Sequence, residues 1–120
     1  MGKSLLTVSL CVGLSLAGAA GAEIIHKVGK VTWHAATYQG RAVALVGYLL
    51  ASKDGYALVS DEPKGAISAH DLPVTGAGFD TMKAGQKYLL HGIFVKGARY
   101  GNGNLYHLDL TSPPEAFPRR

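Results

Sequence analysis

The chain has 120 residues, with 12 Lys or Arg against 8 Asp or Glu, a net charge of +4 at pH 7 and a single cysteine, Cys11. That length suits one domain and leaves no room for two. The mild basic excess permits an anionic partner but lacks the dense basic cluster of a dedicated nucleic-acid protein.

Residues 1–22 read as a cleaved signal peptide. Met1-Gly2-Lys3 is a short basic start, Leu5 to Leu16 is an apolar run broken only by small residues, and Ala20-Gly21-Ala22 is an A-x-A cleavage site before Glu23. A transmembrane anchor needs roughly 20 unbroken apolar residues, and this run is shorter. The protein is therefore expected to be periplasmic or secreted, with no transmembrane anchor after cleavage. Cleavage also removes Cys11, which excludes disulfides, thiolate catalysis, Cys-ligated metals and C-x-x-C-H haem attachment. Lipidation would need a small residue before Cys11, and Leu10 stands there.

The mature chain shows no long helical period. Residues 23–40 form an N-terminal segment in which Val28, Val31 and Trp33 are available to cover apolar outward positions such as Leu89, Ile93 and Leu105. Short β-prone runs then alternate with turns. Strand one is residues 41–50 (RAVALVGYLL), followed by a turn at Ser52-Lys53-Asp54-Gly55. Strand two is residues 56–60 (YALVS), closed by Asp61 to Gly65, and strand three is residues 66–69 (AISA). Residues 71–86 are too long for a hairpin. Phe79, Met82 and Ala84 are placed to pack a helical turn under a barrel, with Asp80 or Thr81 as its cap. Strand four is residues 87–96 (KYLLHGIFVK), strand five is residues 105–110 (LYHLDL), and the loop between them holds three glycines.

Strand–strand–strand–helix–strand–strand is the order of an all-β, five-stranded Greek-key OB-fold barrel, with the short helix or turn between strands three and four. The barrel domain is expected over residues 41–112. Gly47 and Gly92 sit mid-strand, where a barrel stave bends. The last hairpin is expected to pair Leu90 with Leu108, Tyr88 with Leu110, and Gly92 with Tyr106, whose ring would cover the glycine. That register leaves His91 and His107 side by side on the outer face, together with Asp109. The tail, residues 113–120, is Pro-rich and expected to stay unpaired.

No catalytic constellation emerges, and the protein is expected not to be an enzyme. Ser52, Ser60 and Ser68 lack a G-x-S-x-G elbow, and Asp54, Asp61, Glu62 and Asp71 sit at turns, where local hydrogen bonding favours them. Gly101-x-Gly103 has neither Rossmann nor Walker spacing. No cofactor and no metal site are assigned. Of the five histidines, His91 and His107 make two neighbouring ligands at most, where a structural zinc uses four. A copper or zinc carrier is the alternative function they suggest, and single-stranded nucleic acid binding is a third.

The surface that OB-folds present comprises strands two and three with the loops after strands one and four. It places Lys53, Tyr56, Lys64, Lys96, Arg99 and Tyr100 as candidate ligand-binding residues, with Tyr56, Lys96, Arg99 and Tyr100 lining a concave face and Lys53 and Lys64 at its rim. A cation beside a ring stacks on a base or sugar while pairing with phosphate or carboxylate. Arg99 is expected to matter more than Lys64, because a guanidinium pairs in a forked way.

Residues 43–110 resemble the small exported bacterial OB-fold family. The resemblance is carried by Val46-Gly47-Tyr48-Leu49, Gly55 to Asp61 (GYALVSD), Gly65 to Ala69 (GAISA), Ala84 to Lys87 (AGQK) and Leu90 to Phe94 (LHGIF). It implies a periplasmic, non-enzymatic protein that binds small or cell-envelope ligands; a small-molecule, glycan, peptide or protein ligand fits that compartment, and the chain is expected to be a monomer. The chain departs from the family in carrying Lys96, Arg99 and Tyr100 where members have an acidic stretch.

Overall fold

The computed structural model of the chain describes residues 24–97 and 100–118. The signal-peptide expectation on residues 1–22, and its cleavage site before Glu23, lie outside them. The elements in order are β1 (Ile25–Lys27), α1 (Val28–Trp33), α2 (Ala35–Tyr38), β2 (Ala42–Lys53), β3 (Tyr56–Ser60), β4 (Leu72–Gly76), a 3-10 turn (Phe79–Thr81), β5 (Lys87–Lys96), β6 (Tyr106–Leu110) and β7 (Glu115–Ala116). Five strands close in the order β2-β3-β4-β6-β5 and back to β2, antiparallel everywhere except the parallel pair β4–β6. This is the OB-like Greek-key barrel expected from the order of β-prone runs. Among the described residues no helix is long and apolar enough to cross a membrane.

Closure depends on β2 serving two partners. Ala42 to Tyr48 pairs with β5 and Tyr48 to Lys53 with β3, with a bulge between Leu49 and Ala51. The bulge adds twist at the place where the stave changes neighbours. Leu45, Val59, Leu72, Val74, Leu90, Phe94 and Leu108 fill the interior at 0% exposure.

Several details depart from expectation. Strand three is not residues 66–69, which are irregular and exposed, but β4 at Leu72–Gly76. In β4 the buried residues Leu72 and Val74 face the core on either side of Pro73. The helical turn shrinks to three residues. Gly78 is its N-cap and Thr81 donates its hydroxyl back to the Gly78 carbonyl at 2.7 Å. Met82 is buried, Phe79 packs against the core, and Ala84 is exposed.

The last hairpin slips by four residues from the expected register. Gly92 faces Leu110, Phe94 faces Leu108 and Lys96 faces Tyr106. An even slip preserves both faces, so the interior set survives while the partners change. Tyr106 does not cover Gly92; it stacks on Phe94, rings 5.2 Å apart and 6° from parallel. The tail also pairs, contrary to expectation. Glu115 and Ala116 join β5 opposite Leu89 and Tyr88, and the Phe117 N–H donates to the Lys87 carbonyl at 3.0 Å. The prolines flank that short pairing and so do not block it.

The N-terminal segment is not a lid over Leu89, Ile93 and Leu105. β1 adds to β2 in parallel, and α1 packs against β2 and β3. Val28 and Val31, on one helical face, are 1% and 0% exposed, whereas Trp33 is 68% exposed and stacks on His70 at 4.1 Å. Gly47 makes room for this helix, because a Cβ there would lie 2.8 Å from Val28 Cγ2. The cap comes from far along the chain. Asp61 accepts from the Val28 N–H at 2.7 Å and the Gly29 N–H at 2.9 Å, filling two of the donors a helix start leaves open. Asp61→Ala is expected to cost about 1–2 kcal/mol, as lost helix caps do, with Asp61→Asn keeping only part of it, since its amide oxygen accepts from one of the two N–H groups and its NH2 faces the other. Thermal melts of the three proteins check this, and equal midpoints would show that the cap contributes nothing.

Candidate functional site

In β3 and β4 the inward residues alternate with outward ones. Ala57, Val59, Leu72 and Val74 belong to the core, so Leu58 and Pro73 point away from it. Cross-strand pairing then lays out one outward row around the barrel. Ala51 faces Leu58, Leu58 faces Pro73, and His107 faces Val95. One step back along the parallel ladder from the Val74–Leu108 pair, Pro73 comes beside His107. The row is apolar apart from His107.

Leu58 and Pro73 are nonetheless fully buried, Leu58 at 1% exposure. The same outward side carries the ring of Tyr100, from the β5–β6 loop. It stands 4.8 Å from the Tyr56 ring on one side and 5.6 Å from the His107 ring on the other. The Gly101 N–H donates to Tyr56 Oη at 3.3 Å, and a Cβ on Gly101 would come within 3.0 Å of that oxygen. Gly97 lies against His107 so closely that a Cβ would be 2.6 Å from Nδ1, a buried nitrogen with no hydrogen-bond partner among the described residues.

Two asparagines anchor the far side of the same loop. Asn102 Nδ2 donates to the Ser68 and Asp71 carbonyls at 2.9 and 2.7 Å, and Asn104 Nδ2 donates to the Asp71 carbonyl at 3.0 Å. Asn104 Oδ1 accepts from the Tyr106 N–H at 2.9 Å, which starts β6. Asp71, 6% exposed, accepts from the Ser68 N–H and turns the chain into β4. The β3–β4 and β5–β6 loops are therefore one fastened unit. The sequence showed only a turn-rich N-G-N stretch here.

The residues picked from sequence divide as follows. Tyr56 and Tyr100 are in contact, and Lys53 is the cross-strand partner of Tyr56 on the same outward face. Lys96 ends β5 opposite Tyr106, in phase with the inward Phe94, so it leaves the barrel at its mouth. Lys64 is exposed in the β3–β4 loop. Arg99 lies outside the described residues.

His91 and His107 are not side by side. His91 pairs with Ala44 and His107 with Val95, four positions apart along β5, or roughly 13 Å at strand spacing. The four-residue slip of the hairpin is the cause. Among the described residues no three His, Asp, Glu or Cys side chains gather to hold a metal ion. His26 and His91 instead line an open groove of about 450 Å³ with Ala44 and Thr111, which contains none of the six candidate ligand-binding residues. Searched against protein-family models and against curated proteins, the chain matches none of them.

Proposed function

We propose that this protein is an exported, non-enzymatic binding module that holds a ring-bearing, anionic ligand of the cell envelope, a glycan or peptide, on the outward face of β3, β4 and β6. The observation that carries this reading is the row of rings Tyr56, Tyr100 and His107 on the outward face that also holds Leu58 and Pro73, with Lys53 opposite Tyr56. Rings offer contact area with little side-chain entropy to lose, and a neighbouring ammonium attracts carboxylate or sulfate. The resemblance of residues 43–110 to the bacterial OB-fold family supports the same class of function, and the leader-like residues 1–22 support the periplasm or cell exterior as its place.

Calorimetric titration with muropeptides, neutral oligosaccharides and oligonucleotides tests it. Muropeptide binding is expected, weakened about tenfold or more by Tyr56→Ala, since one stacking ring contributes roughly 1–3 kcal/mol on comparable platforms. Raising salt and Lys53→Ala are expected to weaken it a few-fold, because an exposed charge is screened over about 8 Å at physiological ionic strength. Binding of none of these ligands, or binding indifferent to Tyr56, would remove the reading. Micromolar copper or zinc binding abolished by His91→Ala would favour metal carriage instead.

A further inference from the structure

Trp33, the single tryptophan of the chain, is 68% exposed. One face of its indole rests on the His70 imidazole, rings 4.1 Å apart and 17° from parallel, so the exposure belongs to the opposite face and the rim. Both halves of the stack are held from outside it. Val28 and Val31 seat α1 in the core, Asp61 caps its first turn, and the His34 N–H closes its end on the Val31 carbonyl at 3.3 Å. His70 lies between Ser68 and Asp71, whose carbonyls Asn102 Nδ2 holds at 2.9 and 2.7 Å, and its own N–H donates to Ser68 Oγ at 3.2 Å. A ring fixed by its neighbours and open on one face loses little freedom when a ligand lands on it.

A carboxylate stands at the edge of this platform. The Cβ position that Gly29 leaves vacant is 3.9 Å from Trp33 Cδ1 and 2.9 Å from Asp61 Oδ2, so ring and carboxylate border the same notch. Asp61 is exposed and accepts two N–H groups of α1; an ionised carboxylate has about four lone-pair sites, which leaves acceptor capacity toward solvent. We propose that the open face of Trp33 is a stacking platform for a neutral pyranose sugar, with Asp61 accepting from the sugar's hydroxyls. The flat face of a gluco-configured ring shows only C–H groups, whose slight positive charge packs on the negative face of an aromatic ring. Its equatorial hydroxyls leave at the rim, where an acceptor-only group meets them. An indole also attracts cations, but the charge of Asp61 is already shared with two helix N–H groups, and hydroxyls need an acceptor without needing a net charge. None of Tyr56, Tyr100, His107 or Lys53 takes part, so the platform stands apart from the face described under the proposed function.

Because Trp33 is the sole indole, tryptophan fluorescence reads this site alone. The probes are cellotriose and tri-N-acetylchitotriose, titrated into the mature chain. They are expected to move the emission to shorter wavelength and to protect it from acrylamide quenching, saturably and with little dependence on salt, since no net charge is engaged. By calorimetry, Trp33→Ala is expected to weaken the same sugars about tenfold or more, as loss of a stacking ring does, while Trp33→Tyr keeps most of the binding. Emission unmoved by either sugar overturns the proposal, and so does sugar binding undiminished in Trp33→Ala. A response to choline in place of the sugars overturns it too, by making the platform a cation site. If Trp33→Ala does not fold, the wild-type emission and quenching titrations decide. Muropeptides separate the two sites. Binding that survives Tyr56→Ala and is lost in Trp33→Ala removes the Tyr56 face and supports the platform; binding lost in Tyr56→Ala with silent Trp33 emission does the reverse.

Discussion

Replacing Gly76 by alanine is expected to destabilise the barrel by about 3–5 kcal/mol, a large share of the 5–15 kcal/mol typical of a domain. Two independent penalties combine. Gly76 has φ +91, a conformation in which an L side chain is strained by about 1–3 kcal/mol. Its missing Cβ would also lie 2.6 Å from Asp109 Oδ1 and 2.7 Å from both the N and the O of Leu110. Those last two atoms are backbone, in the parallel β4–β6 pair where Gly76 faces Leu110. Relief requires moving a strand, and overpacking of that kind costs about another 1–3 kcal/mol. Gly55 is the control, with φ +89 but nothing within 4 Å of its Cβ position. Gly55→Ala is expected to show the conformational penalty alone. Urea melts of the two variants measure the difference, and equal losses would mean that the tight β4–β6 approach contributes nothing.

The strands of this barrel were legible where their sequence was self-sufficient. Residues 56–60 and 87–96 form strands over those bounds, because β-branched and aromatic residues alternate there between clear turns. The third strand was misplaced because Ala66 to Ala69 looks β-prone in isolation, whereas Leu72-Pro73-Val74 contains a residue that cannot donate to a ladder. What decides is burial, and Ile67 at 44% exposure has no core to enter while Leu72 and Val74 do. The hairpin register illustrates a different limit. Alternation fixes which face each residue takes but not which partner it meets, so an expected pairing slid by four residues with every face unchanged. The cap of α1 was invisible for a third reason: its carboxylate, Asp61, lies 33 residues beyond Val28.

The candidate site was legible in kind more than in geometry. Ring-and-cation composition near the two loops singled out Tyr56, Tyr100 and Lys53, which do lie together. No sequence pattern could show that the Tyr100 ring would stand between those of Tyr56 and His107, since that depends on where a glycine-rich loop lands after the barrel closes. Nor could it show the Asn102 and Asn104 anchors, whose acceptors are backbone carbonyls on another loop. Lys96 takes its direction from strand parity. It shares the parity of Phe94, which points inward, and a strand's last residue keeps the face that alternation assigns it.

Phe94→Ala is expected to lose about 3–5 kcal/mol, the range for deleting a buried phenylalanine ring. Phe94 is 0% exposed, and its backbone bonds to residues preceding β2: its N–H donates to the Arg41 carbonyl at 3.0 Å and its carbonyl accepts from the Gly40 N–H at 2.6 Å. The ring is thus held where β2 and β5 close the barrel, and it carries Tyr106 as a nearly parallel partner. Tyr106 in turn donates its N–H to Asn104 Oδ1 and precedes His107, so the stack connects the core to the loop that bears Tyr100. Phe94→Leu retains apolar volume and is expected to lose only about 1–1.5 kcal/mol. A double-mutant cycle with Tyr106→Ala apportions the effect. A coupling of about 0.5–1.5 kcal/mol is expected of a stacked pair. A coupling near zero, with the full loss still present in Phe94→Ala, would assign the whole effect to the cavity. Tyr106 would then be held in place by Asn104 and the β5–β6 ladder, without help from the ring beneath it.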